Sequence, residues 1–126
     1  MRIFQSQTGI VIKVGQNAQE NDELVKSENQ NYLWCHLDNQ PSPHAVIQSS
    51  DPDTASINLA LQLVKFYSKA KNARQAKLIM TPIQNLHRVV PKRHPGLVTL
   101  KRPPTKKTIT TNYSDLNKLE SFRNSL

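Results

Sequence analysis

The residues best equipped for chemistry stand close together. In YLWCHLDNQPSPHAVIQSS, residues 32–50, Trp34, Cys35, His36 and His44 lie within eleven positions. Metal ligation, a Cys–His nucleophile and stacking on nucleobases all use such residues. Cys35 and His36 are adjacent, so in a strand they point to opposite faces and cannot share one ion without distortion. No CxxC, HExxH or His-rich cluster stands elsewhere, so no metal and no cofactor is expected. A nucleophile meets the same obstacle unless His44 or His87 supplies the base, and no Gly-rich elbow accompanies it. Cys35, between Leu33 and Leu37, reads as a buried and inert core residue. Trp34 and His36 share the opposite face, either as core or as a surface for unpaired bases. Aromatics make up 6% of the chain, too few for a multi-base platform, so phosphate and shape contacts should dominate.

The charge points the same way. The 126 residues carry a net +8, unevenly. Residues 1–53 hold three basic and seven acidic side chains, whereas 54–114 hold twelve Lys and Arg with no Asp or Glu. Charge needed for solubility alone would be interspersed. A one-signed surface attracts polyanions, nucleic acid first, then an anionic membrane or an acidic protein patch. No run of about 18 apolar residues is present to span a membrane. The start, MRIFQSQTGIVIKV, lacks the apolar block of a signal peptide, and one cysteine cannot form an internal disulfide. These features point to a cytoplasmic protein. Without a Walker loop or GxGxxG, no small-molecule substrate is expected.

The positioning elements follow from pattern. Residues 1–112 read as one domain and 113–126 as a tail, either helical from Ser114 or frayed. Ile3-Phe4 and Ile10–Ile12 flank SQTG as a hairpin. Asn17, with Glu20 at the capping-box position, starts a short helix over 18–27. LWCHL and HAVIQS are strands. Asp51, followed by Pro52, predicts a long helix over 52–72. Its polar stripe is Asn58, Gln62, Lys65, Lys69 and Asn72, and the rest of its surface is apolar. AKLIMT is a strand, and PIQNLHRVV opens a helical turn. LVTL and TITT form a hairpin whose loop carries Lys101, Arg102, Lys106 and Lys107. The class is α+β, a mainly antiparallel sheet against one long helix and one or two short ones.

The order VGQNAQENDEL, LWCHL, PSPHAVI, FYSKAKN, MTPIQNLHR, HPGLVTL and TKKTI resembles the RNA-binding domain of the NFACT proteins. That domain typically reads VGKN–NDxL, WFH, GSHVVI, YSKAR, YTxxxNVKK and PGxV. The resemblance spans about residues 9–112. It rests on the order and spacing of the pieces, each short by itself. Gly15, Asn17, Asn21, Asp22, Trp34, His36 and His44 fall on matching positions, as do Tyr67, Ser68, Lys69, Thr81, Asn85 and Gly96. The chain departs at Cys35, where an aromatic is usual, at Ser42-Pro43 in place of Gly-Ser, and at Leu86-His87-Arg88 in place of Val-Lys-Lys. In the large NFACT proteins the domain is joined to an N-terminal domain and a coiled coil. Those proteins bind the large ribosomal subunit and tRNA, and add tails to stalled nascent chains. The resemblance implies a standalone RNA-binding domain without tail synthesis. Its partners would be tRNA or ribosomal RNA and the large subunit, in translation or ribosome-associated quality control.

The expected function is RNA binding without catalysis. Lys65, Lys69, Lys71, Arg74, Arg88, Lys92 and Arg93 are expected to hold phosphates. Trp34, His36, His44, Asn85 and His87 would make the specific contacts, and Gly15, Asn17, Asn21 and Asp22 would shape the motif. The segment Thr81–Arg93 is expected to be the centre, so that Arg88→Ala with Arg93→Ala weakens binding and leaves the fold intact. Two other functions use the same residues: an RNA-modification enzyme or subunit with a His36/His44/Asp22 pocket, and a basic module for an acidic protein.

Overall fold

A computed structural model describes residues 1–89 and 96–112. The elements in chain order are β1 (Arg2–Gln5), β2 (Val11–Val14), α1 (Ala18–Ser27), β3 (Leu33–Leu37), β4 (Ala45–Ile47) and α2 (Thr54–Phe66). Then come β5 (Gln75–Pro82), a 3-10 turn (Ile83–Asn85), β6 (Leu86–Arg88), β7 (Val98–Leu100) and β8 (Thr105–Thr110). Six strands form one sheet in the order β1-β2-β4-β3-β5-β8, every neighbouring pair antiparallel. β6 and β7 pair separately.

Strand alternation splits the apolar residues between two cores. Phe4, Ile12, Val14, Cys35, Leu37, Ala45, Ile47, Ala76 and Leu78 face α2, where Ala60, Leu61, Leu63 and Val64 close the first core. Trp34, Val46 and Ile79 face the other way and meet Leu24 and Val25 of α1, with Ile83 and Leu86. The sheet is thus covered on one face by α2 and over part of the other by α1 and the β6–β7 pair. Gly9, at φ +90°, turns β1 into β2, a conformation that costs glycine little.

The helix over 18–27 forms where the Asn17–Glu20 signal placed it. The Asn17 side chain accepts from the Glu20 N–H at 2.9 Å, and the Glu20 carboxylate accepts from the Gln16 N–H at 2.9 Å. Three other expectations need correction. The long helix starts two residues later and ends six earlier than 52–72. Asp53, not Asp51, is its N-cap, accepting from the Ser56 N–H at 3.2 Å. At the far end Ser68 Oγ donates to the Lys65 carbonyl at 2.8 Å, and residues 67–74 turn back under the helix. Next, PIQNLHRVV holds the strand β6 after its helical turn. Lastly, β7 and β8 do not form a hairpin. β7 pairs β6 while β8 pairs β5, and Lys106 and Lys107 lie on β8 itself. The expected tail helix lies outside the described residues.

Lys65 is the largest departure. Its spacing puts it on the polar stripe of the helix, yet it is 2% exposed. Its ammonium donates to the Lys71 carbonyl at 3.1 Å, the Ala73 carbonyl at 2.6 Å and the Thr111 hydroxyl. All three donors are used. Lys65 therefore ties the loop after α2, and the end of β8, to the helix.

Candidate nucleic-acid interface

The motif residues at the start of α1 serve close packing. A Cβ on Gly15 would stand 2.0 Å from Asn21 Oδ1, which accepts from the His44 N–H at 3.1 Å. The Gly15 N–H in turn donates to the His44 carbonyl at 3.0 Å. Gly96, at φ +84°, sits where a Cβ would lie 3.1 Å from the Ala18 carbonyl. Helix α1 is thus held against the chain beside His44 by one polar clamp and two glycine contacts. Asp22, on the same helix, accepts both Arg88 Nε at 2.8 Å and Arg88 Nη2 at 2.7 Å.

That clamp frames an aromatic cluster. The rings of Trp34 and His36 stack at 5.4 Å and 15°. His44 meets both edge-on, at 5.3 Å and 5.1 Å. Trp34 and His44 are buried, whereas His36 is partly exposed. The Leu37 carbonyl, 2.6 Å from His36 Nδ1, can only accept. The His36 proton therefore sits on Nδ1, and Nε2 is left as an acceptor. Trp34 Nε1 and His44 Nδ1 are buried and have no hydrogen-bond partner among the described residues. Burial drives the His44 pKa down to about 3, helped by neighbouring His36 and opposed by Asp22. Burial lowers that of His36 as well, against the Leu37 hydrogen bond.

A pH dependence follows with a definite sign. Burial holds both histidines below the pKa of an unfolded histidine, which protonates below about pH 6.5. Their stabilising contribution is complete above that pH and is lost as the pH falls towards the folded values. From pH 7 to pH 5 His44 alone should cost about 2 kcal/mol of stability. Urea midpoints at the two pH values test this, and equal midpoints would refute it. Cys35 has no exposed surface, and burial pushes its thiol pKa up to about 12. A thiol reagent should leave it unmodified in native buffer and label it in urea; rapid native labelling would contradict this placement.

The expected site residues separate into groups. Lys69, Lys71 and Arg74 are exposed in the loop after α2, and His87 is exposed on β6. Lys92 and Arg93 lie outside the described residues. Lys65 is corrected, since its donors are engaged within the fold. Trp34 and His44 are buried and present no ring face to solvent. Asn85 is 6% exposed, and its amide donates to Thr81 Oγ1 and to the Arg102 carbonyl, both at 2.9 Å. It pins the 101–104 loop. Arg88 is held by Asp22 across α1 and β6, so Arg88→Ala would remove this ion pair together with a cation, while Leu24 and Val25 still pack against Leu86. Asp22 in turn has both oxygens on that guanidinium and is not a free carboxylate beside the histidines. Among the described residues no three His, Cys, Asp or Glu group as a metal site.

Register reveals cations that motif spacing missed. His36 is opposite Ile79, and Ile79 opposite Lys106, so these three share one row on one face. Lys77 pairs with Thr108 on the same face, and both are exposed. The alternation of Lys77 with buried Ala76 and Leu78 was the available signal. Beyond the cover of α1 the β5–β8 face therefore carries Lys77 and Lys106 side by side. The loop with Lys69, Lys71 and Arg74 adjoins one end of this strip, and exposed Lys101 and Arg102 adjoin the other. The strip runs for roughly 25 Å along β5. Lys106 is only loosely paired, 3.4 Å from Asp38.

The fold and strip define an α+β domain whose β5–β8 sheet edge is cationic. The chain belongs to the NFACT protein RNA binding domain family, which it matches over residues 1–101. It is 30% identical over 100 residues to the Rqc2 homolog RqcH of Bacillus subtilis (strain 168), covering 79% of this chain and 17% of that protein. It is 31% identical over 103 residues to the Rqc2 homolog RqcH of Streptococcus suis (strain 05ZYH33), covering 80% and 18%. A similar solved structure is the C-terminal part of the fibronectin/fibrinogen-binding protein from Streptococcus suis. The TM-score is 0.82 at 28% identity, over 92% of this chain and 47% of that one. The chain thus spans less than a fifth of the curated relatives it matches. No described helix is long and apolar enough to cross a membrane.

Proposed function

We propose that this chain binds structured RNA, without catalysis, on the face carrying the β5–β8 strip. The targets would be tRNA or ribosomal RNA on the large ribosomal subunit, in cytoplasmic ribosome-associated quality control. The observation that carries the reading is the predominantly cationic strip. Exposed Lys and Arg line it, and among the described residues Asp38 is the one carboxylate paired with any of them. Such an array neutralises successive phosphates and releases their counterions. Asp22, engaged by Arg88, supports a binding role over acid–base chemistry.

Crosslinking in cells followed by sequencing of the bound RNA tests this. Enrichment of tRNA or large-subunit RNA over an equally basic control protein is the expected outcome. Recovery of all RNAs in proportion to abundance would overturn it. A second reading, a basic module for an acidic protein, is favoured by the description of the solved neighbour as part of a fibronectin/fibrinogen-binding protein. It requires a stoichiometric protein complex that survives nuclease.

A further inference from the structure

His36 sits at the boundary between the buried aromatic cluster and the cationic strip. Behind it the Trp34 ring is stacked and the His44 ring is set edge-on, which fixes the plane of the imidazole. In front of it, on the same row, stand Ile79 and then Lys106, with exposed Lys77 one step along the strand face. Its Nδ1 proton is committed to the Leu37 carbonyl, so its free polar atom is the Nε2 acceptor. Two further polar atoms of the cluster, Trp34 Nε1 and His44 Nδ1, are buried without partners among the described residues. A core shaped for stability alone pairs nearly all such atoms. The cluster thus offers a held planar ring, an unused acceptor and two adjacent cations, of which Lys106 also stands 3.4 Å from the Asp38 carboxylate.

One ligand chemistry matches these features together. An unpaired nucleotide has a π-face to stack, amino or imino hydrogens to donate, and a phosphate. Within a duplex the same base has its faces covered by neighbours and its Watson–Crick edge occupied. Resting on the RNA-binding reading above, we propose that His36, backed by Trp34 and His44 and flanked by Lys77 and Lys106, takes one unpaired base of the bound RNA. The domain would then engage a junction, with paired phosphates along the strip and a single-stranded base at His36.

The test compares a blunt, fully paired RNA hairpin with the same hairpin bearing a short unpaired 3′ extension. The extension should raise affinity roughly 5- to 100-fold, as stacking of one base does elsewhere. It should also quench the emission of Trp34, the chain's only tryptophan. An extension of abasic nucleotides keeps the added phosphates and should lose both effects. This arm uses the unaltered protein and does not depend on a variant folding. His36→Ala should abolish the gain, so that the variant binds the blunt and extended hairpins equally; His36→Phe, which keeps a ring and removes the acceptor, should retain part of it. Equal affinity for blunt and extended hairpins, or a gain that survives abasic substitution, overturns the base site and leaves RNA binding standing. Failure to bind either RNA overturns RNA binding itself, and the base site with it.

Discussion

RNA affinity should fall roughly 10³-fold when salt is raised from 50 to 200 mM, the loss expected for about six neutralised phosphates. Lys69, Lys71, Arg74, Lys77, Lys101, Arg102 and Lys106 supply enough exposed cations for that number. Removing Lys77 and Lys106 together should lower the slope of log affinity against log salt by about two units, one for each lost phosphate contact. Lys118→Ala with Arg123→Ala is the control, because the tail carries as many acids as bases. A response independent of salt would exclude the electrostatic mechanism. Equal losses from strip and tail pairs would mean diffuse attraction to a basic protein, with no site.

Lys65→Met should destabilise the fold by about 3 kcal/mol. The methionine fills much of the same volume but leaves the Lys71 carbonyl and the Thr111 oxygen without the ammonium, and the Ala73 carbonyl with the Thr111 hydroxyl as its remaining donor. Each part-buried group so abandoned costs about 1–3 kcal/mol, less where water enters. Lys69→Met, one turn further and exposed, should change stability by less than about 0.5 kcal/mol. Urea unfolding of the two variants distinguishes the roles; a similar small effect from both would remove the tie between α2, its following loop and β8.

These two lysines show where sequence legibility stops. Both lie on one helical stripe, and spacing treats them alike. What separates them is a loop that folds back to place two carbonyls over Lys65, and no local pattern records that. Where the determinant is local it was legible: Asn17 and Glu20 fix α1 within four residues, and the alternation of LWCHL divides Cys35 from Trp34. Arg88 and Asp22 are 66 residues apart, so a basic side chain in a basic segment gave no sign of its partner. β6 is three residues long and its partner β7 begins ten positions later, too little alternation to betray a strand. Lys106 and Lys107 read as loop because β7 and β8 are neighbours in sequence, although they belong to different sheets. The aromatic trio was visible as residue types. Its geometry depends on His44 being carried to Trp34 by the β3–β4 register.

The place of β8 bears on how the protein is made. This strand is the last described element, yet it forms one edge of the strip and pairs with β5 across the intervening β6–β7 excursion. During synthesis the chain emerges from its N-terminal end. The first five strands of the sheet, both helices and most of both cores are complete by residue 82, while Lys106 and the wall it forms beside Lys77 are not. A nascent chain therefore builds its hydrophobic body first and acquires its cationic edge only when β8 is free to dock. Until then the edge of β5 remains open for pairing with another strand, and the cations of the strip stand incomplete while the ribosome is still making the chain.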